Sequence, residues 1–204
     1  MFSRIYHFLK GPNPLHPSVW SGRLRPLTFR RFRPEDRAQC LELYSLNAPG
    51  RFPDGFLDQY ESSLMQGSSY HLVAEGGDKI LCSGGLSYYN RPDVVVLSFG
   101  LVHPSQQGGG IGTALLLARL ALVRPNGFSY HVFIFSLERA FGFYERFGFR
   151  LYHQSWRDPQ GKPHPVGHLL LSSDEIRHCR TLLRNQKIEL SKDEDKIPLR
   201  TKTT

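Results

Sequence analysis

Apolar and polar residues alternate along LTFRRF from Leu27, the two-residue period of a strand with one buried face. The period then lengthens. PED sets a proline and two acids at the head of the next stretch, the composition of a first helical turn, and predicts a helix running to about Leu46. NAPGRFPDG reads as a loop and FLDQYESSLM as a second helix. SYHLVAE and KILCSGGLSYYN read as two strands joined at Gly76-Gly77-Asp78, a hairpin signal. From Val94 to Val102, VVVLSFGLV is nearly continuously apolar, as in a strand buried on both faces, and Gly100 inside it predicts a bulge or a close backbone approach. IGTALLLARLALV follows as a helix whose only charge is Arg119. YHVFIFS is another buried strand, LERAFGFYERFG a short helix closed by Gly148, and FRLYHQSW with VGHLLLS a last hairpin around RDPQGKPHP. Ser172-x-x-Glu175 has the spacing of a capping box and opens one more helix.

The predicted order, β-α-α-β-β-β-α-β-α-β-β, describes a single α/β domain with a mixed sheet over residues 24–172. Residues 1–23 (with GPNPLHPS) form an N-terminal extension, docked in part through Phe8 and Trp20. Residues 173–204 form a C-terminal helix and a charged tail around SKDEDK. At 204 residues and 40% hydrophobic, the chain has enough apolar surface for one core. No apolar stretch approaches a membrane span, and the N-terminus lacks the hydrophobic region and cleavage site of a signal peptide. A cytoplasmic protein without a membrane partner is expected. Cys40, Cys82 and Cys179 are odd in number and widely spaced, which argues for a reducing compartment and against a disulfide framework or a zinc site. The net charge of +8 is concentrated early: Arg4, Lys10, Arg23, Arg25, Arg30, Arg31, Arg33 and Arg37 face only Glu35 and Asp36. Such a surplus attracts polyanions, phosphorylated cofactors included. Without a helix-turn-helix or RNA-binding motif, nucleic acid is not an expected partner, and a solvated basic tail is the simpler reading.

HPSQQGGGIGTALL (103–116) places Gly108, Gly109, Gly110 and Gly112 where a central strand hands over to a helix. The first N–H groups of a helix have no internal acceptor and carry the positive end of its dipole, and residues without Cβ let an anion approach them. A phosphate or pyrophosphate site follows, with a plain tight turn as the alternative. No Lys-Ser/Thr comes after the glycines, which excludes a triphosphate P-loop. A dinucleotide fingerprint from Gly110 would need glycine or alanine at Leu115 and would normally belong to the first strand of its domain.

Gln107-x-x-Gly110-x-Gly112 after Leu101-Val102-x-Pro104 resembles the acetyl-CoA-binding motif of the GNAT superfamily of N-acetyltransferases. AFGFYERFGF (140–149) resembles that superfamily's A-x-x-(F/L)-Y-E-x-x-GF segment. The resemblance extends from Leu27 to about Ser172 and implies the GNAT fold with acetyl-CoA as co-substrate. It implies that backbone groups of Leu101 and Val102 pair with the pantetheine arm. N–H groups of Gln107, Gly108, Gly109, Gly110, Ile111, Gly112 and Thr113 would hold the pyrophosphate. The fourth and fifth strands would splay at a bulge near Gly100, and Tyr144 would protonate the departing thiolate. The acceptor implied is the amine of a small molecule or peptide, and the protein a monomer or homodimer.

Three positions depart from the family pattern. Leu137 stands where asparagine is frequent, with Ser136 beside it as a substitute cofactor contact. No Asp or Glu lies in the fourth or fifth strand as read from sequence, and no basic residue interrupts the glycine loop. For the general base this leaves His131, His103, Asp93 or a water chain, each histidine having a structural role as its alternative. His164 and His168 share a strand face by parity, but no third ligand accompanies them, so no metal is expected. Tyr144 belongs to an aromatic cluster with Phe141, Phe143, Phe147 and Phe149 that could be plain core. Tyr88, Tyr89, Tyr152 and Trp156 are candidate walls of the acceptor groove. Direct acetyl transfer from acetyl-CoA to a primary amine is the preferred function, with a non-catalytic acyl-CoA-binding or sensing domain as the alternative.

Overall fold

The computed structural model describes residues 26–48, 52, 55–125, 127–158, 160–190 and 197–200. Phe8, Trp20 and the SKDEDK segment lie outside the described residues. β1 (Leu27–Arg31) leads through a 3-10 turn at Pro34–Asp36 into α1 (Arg37–Asn47), followed by α2 (Phe56–Met65). β2 (Tyr70–Gly76), β3 (Lys79–Tyr89) and β4 (Arg91–Val102) form an antiparallel meander. α3 (Ile111–Leu122) crosses over to β5 (Tyr130–Phe135), which pairs parallel with β4. α4 (Glu138–Glu145) leads to the hairpin of β6 (Arg150–Arg157) and β7 (Pro163–Leu171). The chain continues through α5 (Ser173–Asn185), β8 (Ile188–Leu190) and β9 (Leu199–Arg200). The sheet runs β6-β7-β5-β4-β3-β2-β1-β8, with β9 beside the end of β3. The element order read from the sequence is thus the order observed as far as β7.

Helices cover both faces. α3 is apolar save for Arg119, and every residue from Ala114 to Leu122 is buried, as expected of a helix enclosed on all sides. Its Leu115, Leu116 and Leu120 share one core with the sheet, and Phe141 and Phe147 from α4's side join it. On the opposite face α1 and α2 bury Cys40, Leu43, Tyr44, Tyr60 and Leu64 against Val73, Ile80 and Leu101. All three cysteines are buried free thiols. Arg30, one of the early cations, is spent internally: its guanidinium grips Asp36 at 2.7 and 2.8 Å and also reaches Glu75.

α5 opens on the expected capping box, with Ser172 Oγ accepting from the Glu175 N–H and the Glu175 carboxylate accepting from the Ser172 N–H. The division drawn at residue 172 does not coincide with a break in packing. Ile176, Cys179 and Leu183 of α5 belong to the same core as α3, and β8 extends the sheet by pairing parallel with β1, Leu27 opposite Ile188.

The feature that positions the site is the way β4 parts from β5. Their rungs run from Val94↔His131 to Leu97↔Ile134 and end there. Just beyond, β4 carries an extra residue against β3: Gly85 pairs with Ser98, but Ser83 pairs with Leu101. The bulge falls at Phe99-Gly100, where sequence placed it, and Phe99 takes a left-handed φ of 45°. β4 also begins earlier than its apolar run, at Arg91. The strand therefore does contain an acid, Asp93, correcting the expectation that it held none.

Candidate active site

Past the bulge, the edge of β4 that faced β5 is open. The His103 N–H donates to the Leu81 carbonyl on β3, so the backbone groups of Val102, one residue back, face the open side. The Val102 carbonyl accepts from Asn47 Nδ2 and from Gln107 Nε2, each at 3.1 Å. Gln107 also donates to Asn47 Oδ1 at 3.1 Å. Its side chain thereby joins the end of α1, the end of β4 and the glycine loop. Leu101, on the other pleat, is buried beneath α1 and α2.

Gly108 and Gly110 adopt φ of 81° and 85°, the left-handed region where any Cβ is strained, which explains their glycine identity. Gly110 is the N-cap of α3 and no side chain caps the helix. The first N–H to reach a carbonyl is that of Ala114, on Gly110 at 3.0 Å. Those of Ile111, Gly112 and Thr113 precede the first helical hydrogen bond and sum with the helix dipole into an anion-binding terminus. The buried Ile111 side chain pins this turn to the core. A Cβ on Gly112 would meet Val102 Cγ2 at 3.7 Å, an ordinary contact, so that glycine is not demanded by packing within the chain.

Tyr144 sits near the end of α4, its ring edge-on to Phe143 and Phe149 at centroid distances of 5.0 and 5.6 Å. The aromatic cluster is real core, yet the Tyr144 hydroxyl leaves it for the bulge. It lies 3.3 Å from where a Cβ on Gly100 would stand. Arg119 Nη2 approaches the same point at 3.2 Å from α3. Arg119, only 2% exposed, is the residue that the sequence reading passed over. Its signal was a single charge in an apolar helix, joined by Gly84 and Gly100 on the two strands that make room for it.

The other candidates lie elsewhere. Asp93 is ion-paired with Arg91 at the start of β4, away from the bulge. His131 Nδ1 and His168 Nε2 are 3.0 Å apart in the closed part of the sheet, where burial pushes His168 down to about 4. His103 Nδ1 accepts from the Ser105 N–H at the start of the loop. His164 pairs with Asp158 at 2.9 Å, and no group of three or more metal-ligating side chains comes together among the described residues. Tyr88 abuts Tyr130 and accepts from the Arg124 N–H, which places it, with neighbouring Tyr89, at the closed end. Tyr152 packs on Phe133 and His168. Trp156 alone of the four reaches the open end, between Phe56 at the head of α2 and the exposed Phe135 at the end of β5. Ser136 is buried, its hydroxyl donating to the Leu137 carbonyl at 3.0 Å.

A bulged strand parted from its parallel neighbour, beside an uncapped glycine turn, makes a cleft at one end of the sheet with unpaired backbone groups and the positive end of a helix dipole. Residues 37–149, more than half of the chain, match the Acetyltransferase (GNAT) family, and the chain belongs to it. Acetyl-CoA is the co-substrate of that family. No curated protein matches the sequence. Among solved structures, the ribosomal-protein-S18-alanine N-acetyltransferase of Escherichia coli is similar at 18% identity and a TM-score of 0.56, over 72% of this chain and 94% of that one. A GNAT family acetyltransferase from Brucella melitensis in complex with acetyl-CoA aligns at 22% identity and 0.54, over 71% and 87%. An aminoglycoside 6'-N-acetyltransferase complexed with coenzyme A aligns at 16% and 0.56, over 70% and 96%. Among the described residues no helix is long and apolar enough to cross a membrane.

Proposed function

We propose that this protein is an N-acetyltransferase that moves the acetyl group of acetyl-CoA to a primary amine by direct attack. The observation that carries this reading is the convergence of three features at one end of β4: the uncapped N-terminus of α3, the open strand edge, and the Tyr144 hydroxyl at the bulge. The N–H groups from Gly108 to Thr113 bind the pyrophosphate, with no loop cation to assist them; that of Gln107, counted with them from sequence, already donates to the Pro104 carbonyl at 3.3 Å. Leu101 and Val102 line the pantetheine arm. Because the Val102 carbonyl already accepts two side-chain amides, its N–H is the group left for that arm. Ser136 keeps its lone pairs to accept from the cofactor.

In the reaction the amine nitrogen bonds to the thioester carbonyl carbon and the C–S bond breaks. Sulfur keeps the bonding pair and takes a proton from Tyr144. The surplus proton on nitrogen leaves to solvent, from which Tyr144 is restored. β5 carries no carboxylate and the one acid of β4, Asp93, is ion-paired with Arg91 away from the bulge, so the strands supply no base and the amine is taken to arrive neutral. That favours an α-amine (pKa ~8) or a weakly basic amine over a lysine-like one (~10.4). The aromatic side chains of Phe56, Phe135 and Trp156 form one wall of the acceptor approach. We place the protein in the cytoplasm, as a monomer or homodimer.

Release of free CoA thiol across a panel of small-molecule and peptide amines tests this reading. Amine-dependent release supports it. Acetyl-CoA binding without release to any amine would instead establish the non-catalytic acyl-CoA-binding alternative, which the missing carboxylate favours.

A further inference from the structure

Arg119 is an unusual tenant of α3. It is almost wholly buried, it cannot shed its charge, and a buried cation is costly unless it is hydrogen-bonded. The titratable groups that interact with it are Tyr144, Cys82 and His71, with no carboxylate among them. Its fixed partners are long hydrogen bonds, Nη1 to the Ser98 carbonyl and Nε to the Leu115 carbonyl, each 3.4 Å. Space for the guanidinium is cut from two strands: a Cβ on Gly84 would meet its Cζ and Nη1 at 3.2 Å, and one on Gly100 would meet Nη2 at 3.2 Å and the Tyr144 hydroxyl at 3.3 Å. Glycines in the middle of paired strands weaken the sheet, so both bear a local cost to admit this one side chain.

From this convergence of guanidinium, hydroxyl and bulge, we infer that Arg119 is the positioning residue that sets Tyr144 as a one-way proton donor toward the sulfur of CoA. The argument is one of hydrogen-bond polarity. A guanidinium only donates, so toward the Tyr144 hydroxyl that converges with it on Gly100 it can offer protons alone, and the phenol oxygen can serve it only as an acceptor. The phenol's own proton must then point away from Arg119. A lysine or an amide in the same place would not impose this so firmly: one lacks the fork, and the other also offers an acceptor. When the proton passes to sulfur, the negative charge left on the phenol oxygen faces the same cation. Arg119 simultaneously holds the Ser98 carbonyl at the start of the bulge, so the donor and the splayed strand are fixed by one group.

The inference rests on the reading of Tyr144 and acetyl-CoA above, and the test separates the two. CoA and desulfo-CoA, which lacks the sulfur, are titrated into wild type, Tyr144→Phe, Arg119→Met and the double variant, with melting temperatures measured first. Wild type should prefer CoA over desulfo-CoA by roughly several-fold, as a hydrogen bond between neutral groups predicts. The preference should fall to near unity in Tyr144→Phe and Arg119→Met alike, with no further loss in the double variant. In turnover, Arg119→Met should lower kcat while leaving KM for acetyl-CoA within a few-fold. Arg119→Gln, which keeps a donor for Ser98 but adds an acceptor, serves if the methionine variant does not fold, and should lose the preference too. A wild-type preference retained in a folded Arg119 variant, or losses that add in the double variant, would overturn the inference while leaving the acetyltransferase reading intact. Failure of wild type to bind either ligand would remove that reading and this inference with it.

Discussion

β4 is one strand with two environments. From Val94 to Leu97 it is clamped between β3 and β5, and its neighbours there are other strands, the His131–His168 pair and the Tyr88–Tyr130 contact. From Ser98 to Val102 it has lost β5, carries the bulge, and meets side chains instead: Arg119 on the Ser98 carbonyl, Asn47 and Gln107 on that of Val102. Both halves are written in nearly the same apolar alphabet. The difference is that a backbone group paired by a strand is finished, whereas one on an open edge still needs a partner, and side chains or a ligand must supply it. Two features produce the open half: the left-handed Phe99 and the missing Cβ of Gly100.

Substitutions can break this contrast at either end. The largest effect is expected at the open end, from Tyr144→Phe. It keeps the ring packing and removes only the hydroxyl, so turnover should fall by on the order of 10²–10⁴ with acetyl-CoA affinity within a few-fold. Normal turnover in that variant would make solvent the proton source. Next is Leu97→Ala at the last rung of the closed half, where a buried leucine is lost and about 2–5 kcal/mol of stability should go with it. Its CoA affinity by calorimetry should match wild type once the protein is folded; a large change would mean that the two halves are not separable. Gly110→Val should strain a φ of 85° by about 1–3 kcal/mol and be relieved by withdrawal of the loop. CoA affinity should then drop by up to ~100-fold while the melting temperature moves only a few degrees.

The smallest effect concerns His71, under the bulge on the face opposite Arg119. Its Nε2 meets Ser63 Oγ at 2.7 Å, and a Cβ on Gly85 would stand 2.9 Å from its Cε1. Burial, reinforced by the Arg119 charge, pushes its imidazole down to about 3. The unfolded chain takes up this proton near pH 6.5, before the folded one does, so stability is full above that value and is lost as pH falls toward 3. Denaturation midpoints across this window should fall less steeply in His71→Gln than in wild type. Equal slopes would assign acid lability to His168 and the carboxylates alone.

Much of this was legible in the chain. Helix and strand periods fixed every element through β7, because long amphipathic or apolar segments carry their environment in their spacing. The strand–glycine–helix junction and AFGFYERFGF marked the open end, since a left-handed N-cap and a Tyr in an aromatic helix are local facts. What escaped was set by tertiary position. Tyr88 and Tyr89 were placed near a strand end, but the sequence does not say which end of the sheet opens. KIEL and PLR are too short to show a period, so β8 and β9 were read as tail. Arg119 showed only as the single charge of an apolar helix; the packing against Gly84 and Gly100 shows it turned inward. Asn47 was read as the first residue of a loop; it is the last residue of α1 and a donor to β4.

The parallel pairing of β1 with β8 bears on how the chain reaches this state. Leu27 is among the earliest described residues and Ile188 among the last, so their contact closes nearly the whole chain into a loop. During synthesis the outer edge of β1 must wait for α5 and β8 to leave the ribosome, and until then it is an unpaired strand edge open to wrong pairing. Arg30 and Arg31 put two charges on that strand, the kind of residue that disfavours wrong edge-to-edge pairing while the edge is open.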